Sequence, residues 1–405
     1  MEIAIFGGGI TGLATAYYAT HRFRSAHITI FEASSRLGGS IESTRLDVSS
    51  GSQSMRFLYE KGPRTLRVNA PRAAVKYELI QSRGLTSECL TVPNDSPVAG
   101  TRYILYPKHL VGLPAVNSPA IRRHIASIPA PSRLGLLRMG RYFWLIATEP
   151  LFRSLITGAF CDFFIARRPE GLRDESIGQS ATNLQLSINH KPQRYDRVIV
   201  TTPLRHLKTM VPRLPQFSAI ESPAVTVMVV TPCYATLQLN RPYRGFGYLI
   251  PQSVPLHWNP EKALGVIFDS DAMPGQDTGT MTGTKITVVI GGHWWNANDD
   301  RQLPSEKQGV LMARILLKRH LGVTQVPLVS IATLRAHAIP QYTVGHSERM
   351  RDLHRSLRAG FDGRLRVAGC SYRGIAVHDC LFSANSVVES LGTDGLTGLE
   401  NFDEG

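Results

Sequence analysis

The spacing that carries chemistry most directly is Gly7, Gly9 and Gly12, in G-x-G-x-x-G register within EIAIFGGGITGLATAYYATHR. The chemistry is capture of a pyrophosphate. The first glycine permits a tight turn, the second lets backbone approach the phosphates, and the third lets a helix pack close to a strand. N–H groups and a partial positive charge at that helix start then face the anion. Gly8, Ile10 and Thr11 fill the same turn and belong to the candidate site. Alone the motif is weak. Here an apolar strand, Ile3 to Phe6, precedes it, and an alanine-rich helix continues to about Thr20. A second strand, HITIFEA, ends with Glu32 and Ala33, and Glu32 stands 20 residues after Gly12. A carboxylate there can accept hydrogen bonds from both ribose hydroxyls of an adenosine.

Nicotinamide and flavin dinucleotides both use this unit, so the next segment decides between them. FEASSRLGGSIES continues with Arg36 and the pair Gly38–Gly39. In flavoproteins such a pair lets the chain run beneath the pyrophosphate and flavin. GGGITGL followed by FEASSRLGGSIES resembles the FAD-binding opening of the amine oxidase and protoporphyrinogen oxidase group. YEKGPRTLR (59–67), GFGYLIP (245–251), NPEKALGVIFDSD (259–271), GGHWW (291–295) and IPQYTVGH (339–346) narrow it to the oxygen-dependent protoporphyrinogen oxidases. RVAGCSYRGIAVHDC (366–380) resembles that family's closing flavin motif. The matches keep their order and span nearly the whole chain.

The resemblance implies an α/β fold: a Rossmann-like, amine oxidase-type FAD-binding domain, a mostly antiparallel substrate domain and a helical membrane-binding domain. It implies non-covalent FAD, with protoporphyrinogen IX and oxygen as partners, protoporphyrin IX and peroxide as products, and a place in haem synthesis. The flavin abstracts hydride while the protein positions both reactants, so no acid–base dyad or nucleophile is required. Gly62, Pro63 and Arg64 of the GPRTLR signature belong to the flavin-side loop. Arg64 either positions that loop or is purely structural. Gly369, Ala376, Val377 and His378 of the closing motif let backbone reach the flavin. The family usually has asparagine where His378 stands, and the glycine expected beside Phe382 to Ala384 is missing. The macrocycle is apolar with anionic propionates, so its pocket should be apolar with an arginine at the rim. Arg102 in TRYILYP occupies that arginine's place; its bland reading is a solvated strand arginine. A homodimer at the mitochondrial inner membrane also follows from the resemblance.

Around these residues the chain divides into 1–78 and 181–215 for the FAD-binding domain, 79–180 for a helical remnant, 216–345 for the substrate domain and 346–405 for the closing segment. In the helical part, bulky apolar residues over 133–166 are interrupted by Arg133, Arg138, Arg141 and Arg153. That pattern suits either an interfacial membrane helix with snorkelling arginines or a buried hairpin with an exposed arginine edge. The resemblance favours the membrane. From about 223, β-rich runs recur, and KQGVLMARILLKRHLG is spaced as a helix. No apolar run reaches the ~18 residues of a spanning helix.

The 405 residues are 43% hydrophobic and carry a net charge of +14, which excludes a disordered chain and favours an anionic partner. The basic residues are scattered, which argues against nucleic acid and for anionic lipid. Five cysteines lie far apart with no C-x-x-C spacing, so reduced thiols are expected, with no disulfide frame or zinc site. One stretch breaks the family pattern. In RRPEGLRDESIGQSATNLQLSINH the part through Gln179 reads as a charged approach to a helix, and Leu184, Leu186 and Ile188 then alternate like a strand. In the resembling family a long helical block separates DES from the strand that YDRVIV matches. Here Asp174 stands about twenty residues before Tyr195, so an internal deletion after about Gln179 is expected. A retained flavin fold with weak or nil turnover follows. The alternatives are a catalytically defective flavin-binding protein and, disfavoured by EKGPRTLR and IPQYTVGH, a flavin amine oxidase.

Overall fold

The computed structural model describes residues 1–50, 52–64, 74–90, 92, 101–106, 108–113, 176–179, 184–188, 191–211, 223–295 and 303–402. The arginine-interrupted segment 133–166 and the charged run before Ser176 lie outside the described residues.

Three separate parts of the chain meet in one parallel sheet, in the order β18 (Leu365–Val367), β10 (Arg197–Val200), β1 (Glu2–Phe6) and β2 (His27–Phe31). Its strands are short apolar runs because both faces are covered. Ile3, Ile5 and Ile199 point to one side, where they pack with Ala19 of α1 (Ile10–Arg22) and Val387 and Val388 of α7 (Val377–Glu389). Ala4, Phe6, Val198 and Val200 point to the other. There they meet Leu204 and Leu207 of α3 (Leu204–Met210) and Leu353 and Leu357 of α6 (His346–Phe361).

The same second face carries an antiparallel meander of β7 (Ser176–Gln179), β8 (Leu184–Ile188) and β9 (Lys191–Tyr195). Leu184 and Leu186 are buried side by side, as their alternation predicts. The described end of the stretch expected to approach a helix is extended instead. Ser176–Gln179 is a strand, Ile177 pairs with Leu186, and its side chain joins the core beside Tyr195. Without it, β8 would present a row of unpaired backbone groups along one edge. Ser176–Gln179 therefore packs, through Ile177, on the second face of the parallel sheet.

A larger sheet has the order β15 (Thr284–Lys285), β11 (Ala224–Tyr234), β16 (Thr287–Gly291), β13 (Ala263–Ile267), β12 (Gly247–Leu249), β5 (Arg102–Tyr106) and β6 (His109–Leu113). The long strand β17 (Val329–Pro340) also pairs with β11. All its pairings are antiparallel except β12 with β5. The β5–β6 hairpin thus belongs to this sheet and not to the helical piece 79–180. α5 (Glu306–Leu321) covers the sheet, burying Ala313, Leu316 and Leu317 against Met228 and Val230. Its start is set by a capping box, with Ser305 Oγ accepting from Gln308 N at 3.3 Å and Gln308 Oε1 accepting from Ser305 N at 2.7 Å.

β3 (Ser43–Ser50), β4 (Gln53–Glu60) and β14 (Thr278–Gly279) form a third sheet that joins the two parts. Phe57 and Tyr59 of β4 pack on Cys233 of β11. Among the described residues no helix is long and apolar enough to cross a membrane.

Candidate functional site

The glycine turn after β1 is built for close approach. Gly9 precedes α1, and no side chain caps that helix's first turn. Gly12 lies over the strand end: a Cβ there would sit 1.8 Å from the Gly7 carbonyl oxygen. Gly38 N donates to Gly8 O at 2.8 Å, and Gly39, at φ +59°, comes so near that an added Cβ would be 3.0 Å from Gly9 Cα. The two glycine pairs therefore lie backbone to backbone. Arg36 clamps the second of them, donating to Leu37 O at 3.0 Å, Ile41 O at 3.2 Å and Gly39 O. Gly62, followed by Pro63, lies against Ser40 O of the same turn.

Glu32 directly follows β2 at the lip of this cradle, with Ala33 exposed beside it. Its Oε2 accepts from Gly8 N at 2.6 Å and its Oε1 from Ser34 N at 2.8 Å. An ionised carboxylate offers about four lone-pair sites, so room remains for ribose hydroxyl donors.

The closing motif reaches the cradle from behind. Ala368 N donates to Val200 O at 3.1 Å, and Gly369 then lies against Thr11, where a Cβ would be 3.2 Å from its Oγ1. Gly369 N donates to Ser383 Oγ of α7 at 3.1 Å. Ala376, Val377 and His378 are all buried where α7 begins, and Asp379 Oδ2 accepts from Ala376 N at 3.4 Å. Ala14, Ile41, Val377, Leu381 and Ala384 form one cluster with Ile10, so the starts of α1 and α7 converge on the second glycine turn. The methyl of Ala384, in the stretch beside which a glycine is expected, is fully buried in that cluster.

Sequence reasoning missed two threonines. Thr201 Oγ1 donates to Phe6 O at 2.8 Å and Gly7 O at 3.1 Å, bracing the turn from below. Thr202 Oγ1 is buried without a partner among the described residues, and its methyl lies beside Gly7. The available signal was their place at the carboxyl end of a parallel strand, where ligands of such sheets bind. An uncapped helix start, a Cβ-free cradle, a carboxylate with free lone pairs and an orphaned buried hydroxyl fit a dinucleotide, and the acid suits an unphosphorylated adenosine ribose.

Two arginines stand apart from the cradle. Arg64 is 4% exposed, and its guanidinium turns toward the larger sheet. It pairs with Asp269 of α4 (Asp269–Ala272) and donates to Thr287 Oγ1 at 2.8 Å and Glu60 O at 3.1 Å. A buried guanidinium needs such partners, and meeting them holds the Gly62–Pro63 loop in place. Nearby, burial raises the Glu60 carboxyl above its usual range, although Ser43 and Arg64 act against that. Arg102 begins β5 with its guanidinium 5.8 Å from the centre of the Phe246 ring, and burial lowers its pKa. It lies on the larger sheet, away from the glycines. Between the two regions, Val227, Leu264, Val289 and Ile339 form an apolar face that meets Trp294 of GGHWW and Ile375 of the closing motif. An apolar floor thus abuts the segment expected to hold the flavin.

Residues 173–391 match the family model described as flavin containing amine oxidoreductase, and residues 5–77 match an NAD(P)-binding Rossmann-like domain. Protoporphyrinogen oxidase of Schizosaccharomyces pombe is 25% identical over an alignment of 496 positions covering 96% of this chain and 98% of the relative. Protoporphyrinogen oxidase of Bos taurus is 27% identical, with coverages of 97% and 98%. The crystal structure of a putative protoporphyrinogen oxidase from Exiguobacterium is similar in fold, with TM-score 0.68, 21% identity and coverages of 96% and 98%. Since 96% of 405 residues is about 389, roughly 107 of the 496 aligned positions in the yeast comparison face no residue of this chain.

Proposed function

We propose, from the premise that this chain belongs to the flavin-containing amine oxidoreductase family, that it oxidises protoporphyrinogen IX to protoporphyrin IX with oxygen as acceptor. FAD is its cofactor. When bound, FAD supplies the hydride abstraction and passes electrons to oxygen as hydrogen peroxide. The chain's residues bind and orient. N–H groups at the start of α1 face the pyrophosphate, Glu32 takes the ribose hydroxyls, and the start of α7 around Val377 and His378 addresses the flavin end. Val227, Leu264, Val289 and Ile339 offer the apolar floor on which a macrocycle would lie. Arg102, backed by Phe246, is the cation for a propionate.

The observation that carries this reading is the alignment to protoporphyrinogen oxidases along 96% of the chain; the close-packed glycine turns support it. The positions without counterpart support the second half of the proposal. On this reading a block of helices after about Gln179 is missing, and with it much of the wall that would cover the substrate. Turnover by this 405-residue chain is therefore weak or nil. The test is porphyrin fluorescence after adding protoporphyrinogen IX to purified, FAD-loaded protein, with peroxide measured in parallel. Slow or absent porphyrin formation with full FAD occupancy is expected. Turnover matching a full-length relative would overturn the missing-wall argument, and failure to bind FAD would overturn the whole reading.

The same proposal places the protein on the mitochondrial inner membrane as a peripheral component, from its +14 charge and the arginine-interrupted segment 133–166. Alkaline washing of mitochondria should release it. Recovery in the cytosol, or retention in the washed membrane, would count against that placement.

A further inference from the structure

GGHWW holds two buried nitrogens without a hydrogen-bond partner among the described residues, His293 Nε2 and Trp294 Nε1. They belong to neighbouring residues of one short turn, with ring centroids 4.6 Å apart. A buried polar group left unpaired is rare in a native protein and marks a place that water, an ion or a ligand completes. Here the place is defined. Gly291 ends β16, pairs with Val227 and donates from its N to Lys262 O at 2.9 Å, so the turn begins at the rim of the apolar floor. Trp294 itself packs on that floor, in the cluster that also meets Ile375 of the closing motif. Arg102 stands on the same side of the sheet, because Tyr103 and Leu105 pack on the α5 side and Arg102 alternates with them. β12 and β13 lie between its strand and β16, so the arginine and the turn flank the floor from two sides.

We propose that His293 and Trp294 form the contact for the second carboxylate of the substrate, the first being held by Arg102. This rests on the function proposed above. Protoporphyrinogen IX is a dicarboxylate, and Arg102 answers only one of its propionates. An indole N–H donates and cannot accept. The pyrrole nitrogens of the reduced macrocycle all carry hydrogen and are donors themselves, so only propionate oxygens offer the indole an acceptor. Burial lowers the His293 pKa, so the ring is uncharged at neutral pH and can carry its proton on Nε2 as the second donor. Two neutral donors on one carboxylate make charge-assisted hydrogen bonds without bringing a further full charge onto an apolar floor. Flavin carbonyl oxygens are the other acceptors of such a site. The packing of Trp294 on the floor favours the propionate, since the start of α7 already addresses the flavin end.

The test measures binding, so it does not depend on turnover. FAD-loaded protein is titrated with protoporphyrin IX and with its dimethyl ester, which keeps the macrocycle and removes both charges. Wild-type protein should prefer the diacid. Trp294→Phe keeps an aromatic ring on the floor but removes the N–H. The diacid should then bind about tenfold more weakly, as for loss of one hydrogen bond to a charged group, while ester affinity and FAD content stay unchanged. His293→Phe should act in the same way. Arg102→Met should keep part of the preference for the diacid, because the second contact remains. Equal weakening of diacid and ester in Trp294→Phe, or no weakening, would overturn the proposal. Loss of FAD from that variant would assign the pair to the flavin and overturn it as well. So would complete loss of the diacid preference in Arg102→Met, a result that needs no change at His293 or Trp294. Wild-type protein that binds neither porphyrin would overturn the proposed function itself, and this contact with it.

Discussion

Replacing Arg64 by methionine keeps side-chain length and apolar contact but removes a charge that three partners depend on. Asp269, 2% exposed, would lose its ion pair while its Oδ2 already has no partner. Thr287 Oγ1 would lose a donor, leaving its bond with Thr231 Oγ1 at 2.7 Å, and Glu60 O would lose the guanidinium N–H. Stranding a buried charge costs about 3–5 kcal/mol. Against a total stability of about 5–15 kcal/mol, that is a large share. The damage also falls where Gly62 lies on Ser40 O, so FAD retention should drop with stability. Urea unfolding followed by tryptophan fluorescence and FAD content after gel filtration measure both effects. Removing the stranded charge as well, in Arg64→Met with Asp269→Leu, should recover most of the lost stability, because the desolvated carboxylate is the main penalty. Arg64→Met unfolding within about 1 kcal/mol of wild type would refute the argument, given the 3–5 kcal/mol expected. A double variant no more stable than the single one would refute it too.

Gly12→Ala puts a Cβ 1.8 Å from the Gly7 carbonyl oxygen and must part α1 from β1, so FAD affinity should fall at least about tenfold, ~1.4 kcal/mol. Unchanged affinity in a fluorescence titration would contradict the close-packing role. Burial raises the Glu42 carboxyl, but hydrogen bonds from Lys61 and Arg335 outweigh it and bring the pKa down to about 2, from an ordinary 4.5. A depressed carboxylate stabilises the fold above pH 4.5 and loses that contribution as pH falls toward 2. Glu42→Gln should flatten the loss in that window, and an unchanged acid-unfolding profile would show that the pairings contribute nothing. FAD should leave without a covalent link: acid precipitation should give a yellow supernatant of FAD mass, whereas flavin remaining on the precipitated chain would disprove it.

What the sequence by itself determined is what neighbouring residues dictate to one another. The turn at Gly7–Gly12, the helix after it and the acid ending β2 follow from glycine spacing and a short apolar run, because a turn and its flanking elements are local. Leu184 and Leu186 were legible as a buried face for the same reason, since period-two alternation needs no knowledge of the partner strand. The helix read over KQGVLMARILLKRHLG begins one residue earlier, at Glu306, where Ser305 and Gln308 set its start within three residues. Only the tertiary structure decided the long-range pairings. Ser176–Gln179 became a strand because β8 had an edge to fill, which no reading of charged residues before it could reveal. Arg102 and its hairpin joined the larger sheet through Tyr103 and Tyr248, 145 positions apart. Arg64 turned from the loop that names it toward Asp269, because a buried guanidinium goes where a buried carboxylate is. Gly369 met Ser383 because a strand end and a helix start pack together. Local stereochemistry can be read from adjacent residues, whereas edge filling and the pairing of buried charges depend on which distant surfaces finally face each other.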